Sequence, residues 1–181
     1  ARRNQLLRLG LELFGAASYD ELSIDDIALA AGVSKGLLYH YFPSKRDFYV
    51  AALRVAADEL LAETQTAPRD DPIAELSETL DRYFDYVERH AVAYVALFRG
   101  GIGCDAEVRE IVESTRRGFL ERLLSRVDFG ARSAPARNAF RGYIGFVETA
   151  VLDWVERREV ARERLRELCI RIAEATARAL V

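Results

Sequence analysis

Apolar residues recur every three to four positions through most of this chain, and no alternating run is long enough for a strand, so the pattern predicts helix almost throughout. Leu6, Leu7, Leu9, Leu13 and Phe14 form the stripe of a first helix over 3–17. Ser23, followed by Ile24-Asp25-Asp26, sets a capping hydroxyl three residues before a carboxylate and opens a second helix over about 24–31. Gly32 ends it, because glycine enters the left-handed region without a Cβ penalty. Ser34 caps a third helix, and Ser44 with Asp47 caps a fourth that runs to about 65. Pro68 and Pro72 interrupt the pattern within "TAPRDDP". Helices are expected again over 73–90, 91–99, 105–127, 134–157 and 160–180, with breaks at "RGGIG" and "DFGARSAP".

The short third helix, "KGLLYHYF", has an unusual make-up. At about 100° per residue, Lys35, Gly36, Tyr39 and His40 share one side, while Leu37, Leu38, Tyr41 and Phe42 share the other. Leu38 and Phe42 are suited to pack on Leu13, Phe14, Ile27 and Ala30. The first side would then face outward with donors, a cation and aromatic rings. Gly36 there costs about 1 kcal/mol relative to alanine, and close approach by another backbone would compensate. Helix, glycine turn and short helix at this spacing form a helix-turn-helix, here about 24–43, whose second helix enters a DNA major groove.

"SIDDIALAAGVSKGLLYHYFPSKRDFYVAAL" resembles the DNA-binding signature of the TetR family of bacterial transcriptional regulators, and the likeness extends over about 6–53. It implies an all-α protein, with a three-helix DNA-binding domain (1–47) joined by a long helix to a ligand-binding and dimerisation domain (48–181). By the same resemblance Ser23, Ser34, Tyr39, Tyr41 and Lys45 bind phosphates, and Lys35, Gly36, Leu37 and His40 lie nearest base edges. Leu37 replaces the threonine often found there, offering apolar contact in place of a hydroxyl. Ser18 stands where many members carry glycine. The partners implied are a palindromic double-stranded operator, a small apolar or aromatic effector and a second copy of the chain. The expected action is repression in the cytoplasm, relieved by the effector.

In the larger domain, Phe140, Val147, Val151 and Trp154 with Leu165, Leu168, Ile172 and Thr176 form stripes suited to a four-helix dimer interface. The aromatic content of the central helices serves either a core or a cavity. Tyr83, His90, Tyr94, Phe98, Arg116, Phe119, Tyr143, Phe146 and Thr149 are the candidate ligand contacts.

Composition narrows the alternatives. The net charge of -3 argues against coating nucleic acid by bulk charge, yet 1–46 carries six basic and five acidic residues. The only two lysines, Lys35 and Lys45, flank the third helix. Cys104 and Cys169 lack metal or redox spacing, and no cofactor or metal is expected. The sequence predicts neither a membrane span nor a signal peptide. The lack of any methionine, even at position 1, predicts that a short stretch precedes Ala1.

Enzyme chemistry finds no residue set. Asp70-Asp71 is followed directly by Pro72 and is expected to cap a helix, "RGGIG" lacks a phosphate-cradling context, and His40 and His90 are the only histidines. A DNA-binding protein without a ligand response stays open as the alternative, as does a helical enzyme on weaker grounds.

Overall fold

A computed structural model of the chain describes residues 2–17, 19–99, 105–126 and 133–180. Ser18, Cys104, the four residues after Arg99 in "RGGIG" and most of "DFGARSAP" lie outside the described residues. Among the described residues every element is helical: α1 (Arg2–Ala16), α2 (Ile24–Ala30), α3 (Lys35–Tyr41), α4 (Lys45–Glu63), α5 (Pro72–Arg89), α6 (Ala91–Arg99), α7 (Ala106–Ser125), α8 (Ala134–Arg157) and α9 (Arg162–Arg178).

The capping residues sit where their chemistry predicts. Ser23 and Asp26 form the reciprocal box at the start of α2, and the Ser34 hydroxyl accepts from the Leu37 amide at the start of α3. Ser44 accepts from the Asp47 amide, and Asp71 accepts from the Ile73 amide just before α5 gets under way. Gly32 turns at φ +60°, the left-handed value that the α2–α3 corner requires.

The helices form two compact units, residues 1–59 with 90–113 and residues 60–89 with 114–181. In the first, α6 packs along α1. Its core joins Leu7, Phe14, Ile27, Leu38, Phe42, Phe48 and Tyr94, all nearly or wholly buried. Phe48 stands at its centre, with ring centroids 4.8 Å from Phe42 and 5.7 Å from Phe14. Gly10 leaves room for it, since a Cβ there would lie 2.5 Å from Phe48 Cζ.

In the second unit, α9 packs against α5 and α8. An aromatic chain runs from Phe119 to Tyr83 (5.9 Å), Tyr83 to Phe84 (6.5 Å) and Phe84 to Trp154 (5.2 Å). Trp154 Nε1 donates to the Val160 carbonyl at 2.9 Å, so its polar edge is satisfied where the chain turns from α8 to α9. Arg116 and Glu148 form a two-bonded ion pair in this unit, at 2.8 and 2.6 Å, with Glu148 buried.

Candidate nucleic-acid interface

Two apolar residues hold α3 in place. Leu38 is completely buried and Phe42, at the helix end, is 2% exposed. The remaining positions, Lys35, Gly36, Leu37, Tyr39 and His40, are exposed. Leu37 differs from the helical-wheel expectation, which grouped it with the inner side, because it is 37% exposed. A seven-residue helix has a narrow buried stripe, and Leu38 alone fills it. Ala30 is also exposed, and Ala28 occupies the buried position on α2 in its stead.

The candidate phosphate ligands divide by how much of their donor capacity is spent. Ser34 uses an acceptor lone pair for its cap, which leaves the hydroxyl hydrogen available. Ser23 donates its hydroxyl to Asp26, so the hydrogen is already engaged. Tyr39 is 43% exposed, and Tyr41 is half-buried with its ring edge-on to His40 at 5.4 Å. Lys45 donates to the carbonyls of Tyr19 (2.8 Å) and Leu22 (2.9 Å) and lies 4.1 Å from the centre of the Tyr19 ring. It therefore ties the loop before α2 to the start of α4, with a third N–H left over.

Beside Lys45 lies a feature that sequence reading missed. Arg46 grips Asp105 through Nε (2.6 Å) and Nη2 (2.9 Å), and Glu107 accepts from both Arg46 and Arg54. Asp105 also accepts from the amides of Glu107 and Val108, capping α7. The Arg46 guanidinium holds the Asp105 carboxyl down at about 2, so the pair stays charged at any ordinary pH. Fifty-nine positions separate the two residues in sequence, and no local pattern marks them as partners.

The candidate ligand residues are distributed over both units. His90, Tyr94 and Phe98 belong to the first unit, where Tyr94 is wholly buried. Tyr83, Arg116, Phe119, Tyr143, Phe146 and Thr149 belong to the second. Arg116 commits its fork to Glu148. Tyr143 is 5% exposed, and its hydroxyl has no hydrogen-bond partner among the described residues. Burial pushes its pKa up, aided by nearby Cys169 and Tyr83, so it stays a neutral donor.

On α8 burial divides the candidate residues. Phe140, Val147, Val151 and Trp154 are buried in the chain's own core, as is Leu165 on α9. Thr149, expected to meet ligand, is exposed, and Phe146 is half-buried on the same outward side as Gly142 and Gly145. A helical stripe shows which residues share a side but not which side the chain itself covers. On α9, Leu168 is 45% exposed, and Ile172 and Thr176 are half-buried.

Among the described residues, no helix is long and apolar enough to cross a membrane, and no group of three or more His, Cys, Asp or Glu is placed to hold a metal.

The model of bacterial regulatory proteins of the tetR family matches residues 6–52, and that of the tetracyclin repressor-like C-terminal domain matches residues 72–176. The chain belongs to the TetR family. A tetR-family transcriptional regulator from Streptomyces coelicolor is 35% identical, with TM-score 0.83 over 97% of this chain and 78% of that one. The transcriptional activator FasR of Mycolicibacterium smegmatis is 29% identical over 160 residues, 85% of this chain and 72% of that protein. FadR from Bacillus subtilis, solved in complex with stearoyl-CoA, shares the fold at 17% identity, with TM-score 0.74 over 96% of this chain and 97% of that one. This TetR-family chain is thus a transcriptional regulator rather than an enzyme, and relatives include proteins named as activators and as repressors.

Proposed function

We propose that α3 of this regulator enters the major groove of a palindromic operator, and that a small apolar effector releases it to relieve repression. The observation that carries this reading is the division of α3 into a buried Leu38 and an exposed run of Lys35, Gly36, Leu37, Tyr39 and His40. Donors, a cation and a backbone without a Cβ stand where base edges would be met. Ser34, Tyr39, Tyr41 and the remaining N–H of Lys45 serve phosphates.

The test starts with duplexes selected from random DNA by the intact protein. Lys45→Ala should weaken binding to selected and shuffled duplexes alike and reduce the salt slope by about one phosphate contact. His40→Ala should instead change which bases are preferred. Unchanged affinity and preference in both variants would show that this side does not meet DNA.

For the effector, the buried Tyr143 hydroxyl beside the aromatic chain of the second unit supports an apolar or aromatic molecule carrying one acceptor oxygen. The stearoyl chain of the stearoyl-CoA bound to the Bacillus subtilis protein of the same fold agrees with an effector that carries an apolar portion. Binding there would shift the population of forms through α4, which carries Lys45 at one end and reaches the second unit at the other. Operator DNA must then weaken effector binding by the same factor.

A two-fold dimer places both recognition helices on one side of DNA, about 34 Å apart. Its contact is best served by the outward sides of α8 and α9, with Gly142, Gly145, Phe146 and Thr149 on α8 and Leu168 and Ile172 on α9. Among the described residues a Cβ at Gly142 or Gly145 would meet nothing within 4 Å, which leaves room for a partner helix. Leu168→Asp should turn the dimer into a monomer in sedimentation. A variant that still sediments as a dimer moves the contact elsewhere.

A further inference from the structure

The exposed side of α3 does not present its cation freely. Lys35 Nζ donates to Asp25 Oδ2 at 2.9 Å, with half of the lysine side chain and 69% of the aspartate side chain in solvent. This hydrogen bond is the main cause of the raised Lys35 pKa. Asp25 is not needed to cap α2. Ser23 and Asp26 already satisfy each other's amides, and the Ser23 hydroxyl, then its amide, hold Asp26 below the usual carboxylate range.

A carboxylate on a surface that meets phosphates repels them, so its presence beside Lys35 carries a cost in raw DNA affinity. An exposed pair of this kind adds little to folding. Its effect lies in where the ammonium points and in what must displace its partner. Of the three N–H groups on Lys35, Asp25 takes one and two remain.

We propose that Asp25 is a specificity-positioning residue: it holds Lys35 on the α2 side of the recognition helix and competes with phosphate for its ammonium. In non-cognate DNA a phosphate has to displace the carboxylate to gain the lysine. In the cognate duplex a base-edge acceptor uses a remaining N–H while the ion pair persists, so the carboxylate taxes non-specific binding more heavily. The inference rests on the reading of α3 given above.

Asp25→Asn, Lys35→Ala and the double variant are to be titrated with a selected duplex and a shuffled duplex of equal length, across a salt series. Asp25→Asn should tighten the shuffled duplex more than the selected one, lowering the ratio of the two affinities by roughly five- to twenty-fold, within the worth of a good base contact. The same change made in Lys35→Ala should leave the ratio where Lys35→Ala put it. Equal tightening on both duplexes, or an undiminished effect without Lys35, means that only a repelling charge was removed and overturns the proposal. Should Lys35→Ala and His40→Ala both bind each duplex as the parent does, the underlying placement of α3 fails instead. That result is told apart by the parent-like behaviour of variants that never touch Asp25.

Discussion

Phe48→Ala is expected to remove a large share of the stability of the first unit and to weaken DNA binding with it. The ring is fully buried and packs on Phe14 and Phe42, the residues that connect α1 and the end of α3 to α4. Deleting such a side chain costs about 3–5 kcal/mol, through lost transfer energy and the cavity left behind. Domains of this size have about 5–15 kcal/mol in all. The companion change, Gly10→Ala, runs the same contact in the opposite sense. Its Cβ would sit 2.5 Å from Phe48 Cζ and 2.7 Å from Cε1, and a ring wedged between two others has nowhere to move. Overpacking of this kind costs about 1–3 kcal/mol, more than alanine's helical preference of about 1 kcal/mol over glycine returns. Combining Gly10→Ala with Phe48→Leu should recover part of the loss, because leucine withdraws the atoms that the new methyl would strike. Urea unfolding of the four proteins measures this coupling. Additive losses would show that Gly10 and Phe48 do not share one space.

The second large effect concerns the buried ion pair. Arg116→Ala removes the two charged hydrogen bonds that Arg116 gives the buried Glu148 carboxylate, and is expected to cost close to 3 kcal/mol, the lower end of the range for breaking a buried pair. The lower end applies because Arg116 keeps 33% of its side chain in solvent. Replacing both partners by apolar residues, Arg116→Met with Glu148→Leu, should recover much of that loss, since the buried carboxylate goes together with the guanidinium. The contrast separates two roles for Arg116. A structural partner of Glu148 can be exchanged this way without changing the effector response, whereas a ligand anchor cannot. Effector-induced release of DNA measured in the double variant decides between them.

Much of the architecture was legible before any coordinates, and particular residues show why. Ser23, Ser34, Ser44 and Asp71 announce helix starts because a cap acts within three residues, and Gly32 announces a stop for the same local reason. The make-up of α3 was readable too, down to the burial of Leu38 and Phe42, because one seven-residue helix has only one narrow side to bury. Leu37 shows the limit of that reasoning. A wheel orders residues around an axis but does not say how much of the circle the neighbours cover.

What the sequence by itself determined is everything set by contacts a few residues apart: the helices, their caps, and the motif that marks the DNA-binding unit. Tertiary structure alone decided which apolar stripes the chain covers with its own core, so that Val151 and Trp154 turn inward while Leu168 faces out. It alone joined Arg46 to Asp105, Arg116 to Glu148 and Lys35 to Asp25. Charged side chains find partners through space, and helical periodicity carries no information about which helix will lie alongside.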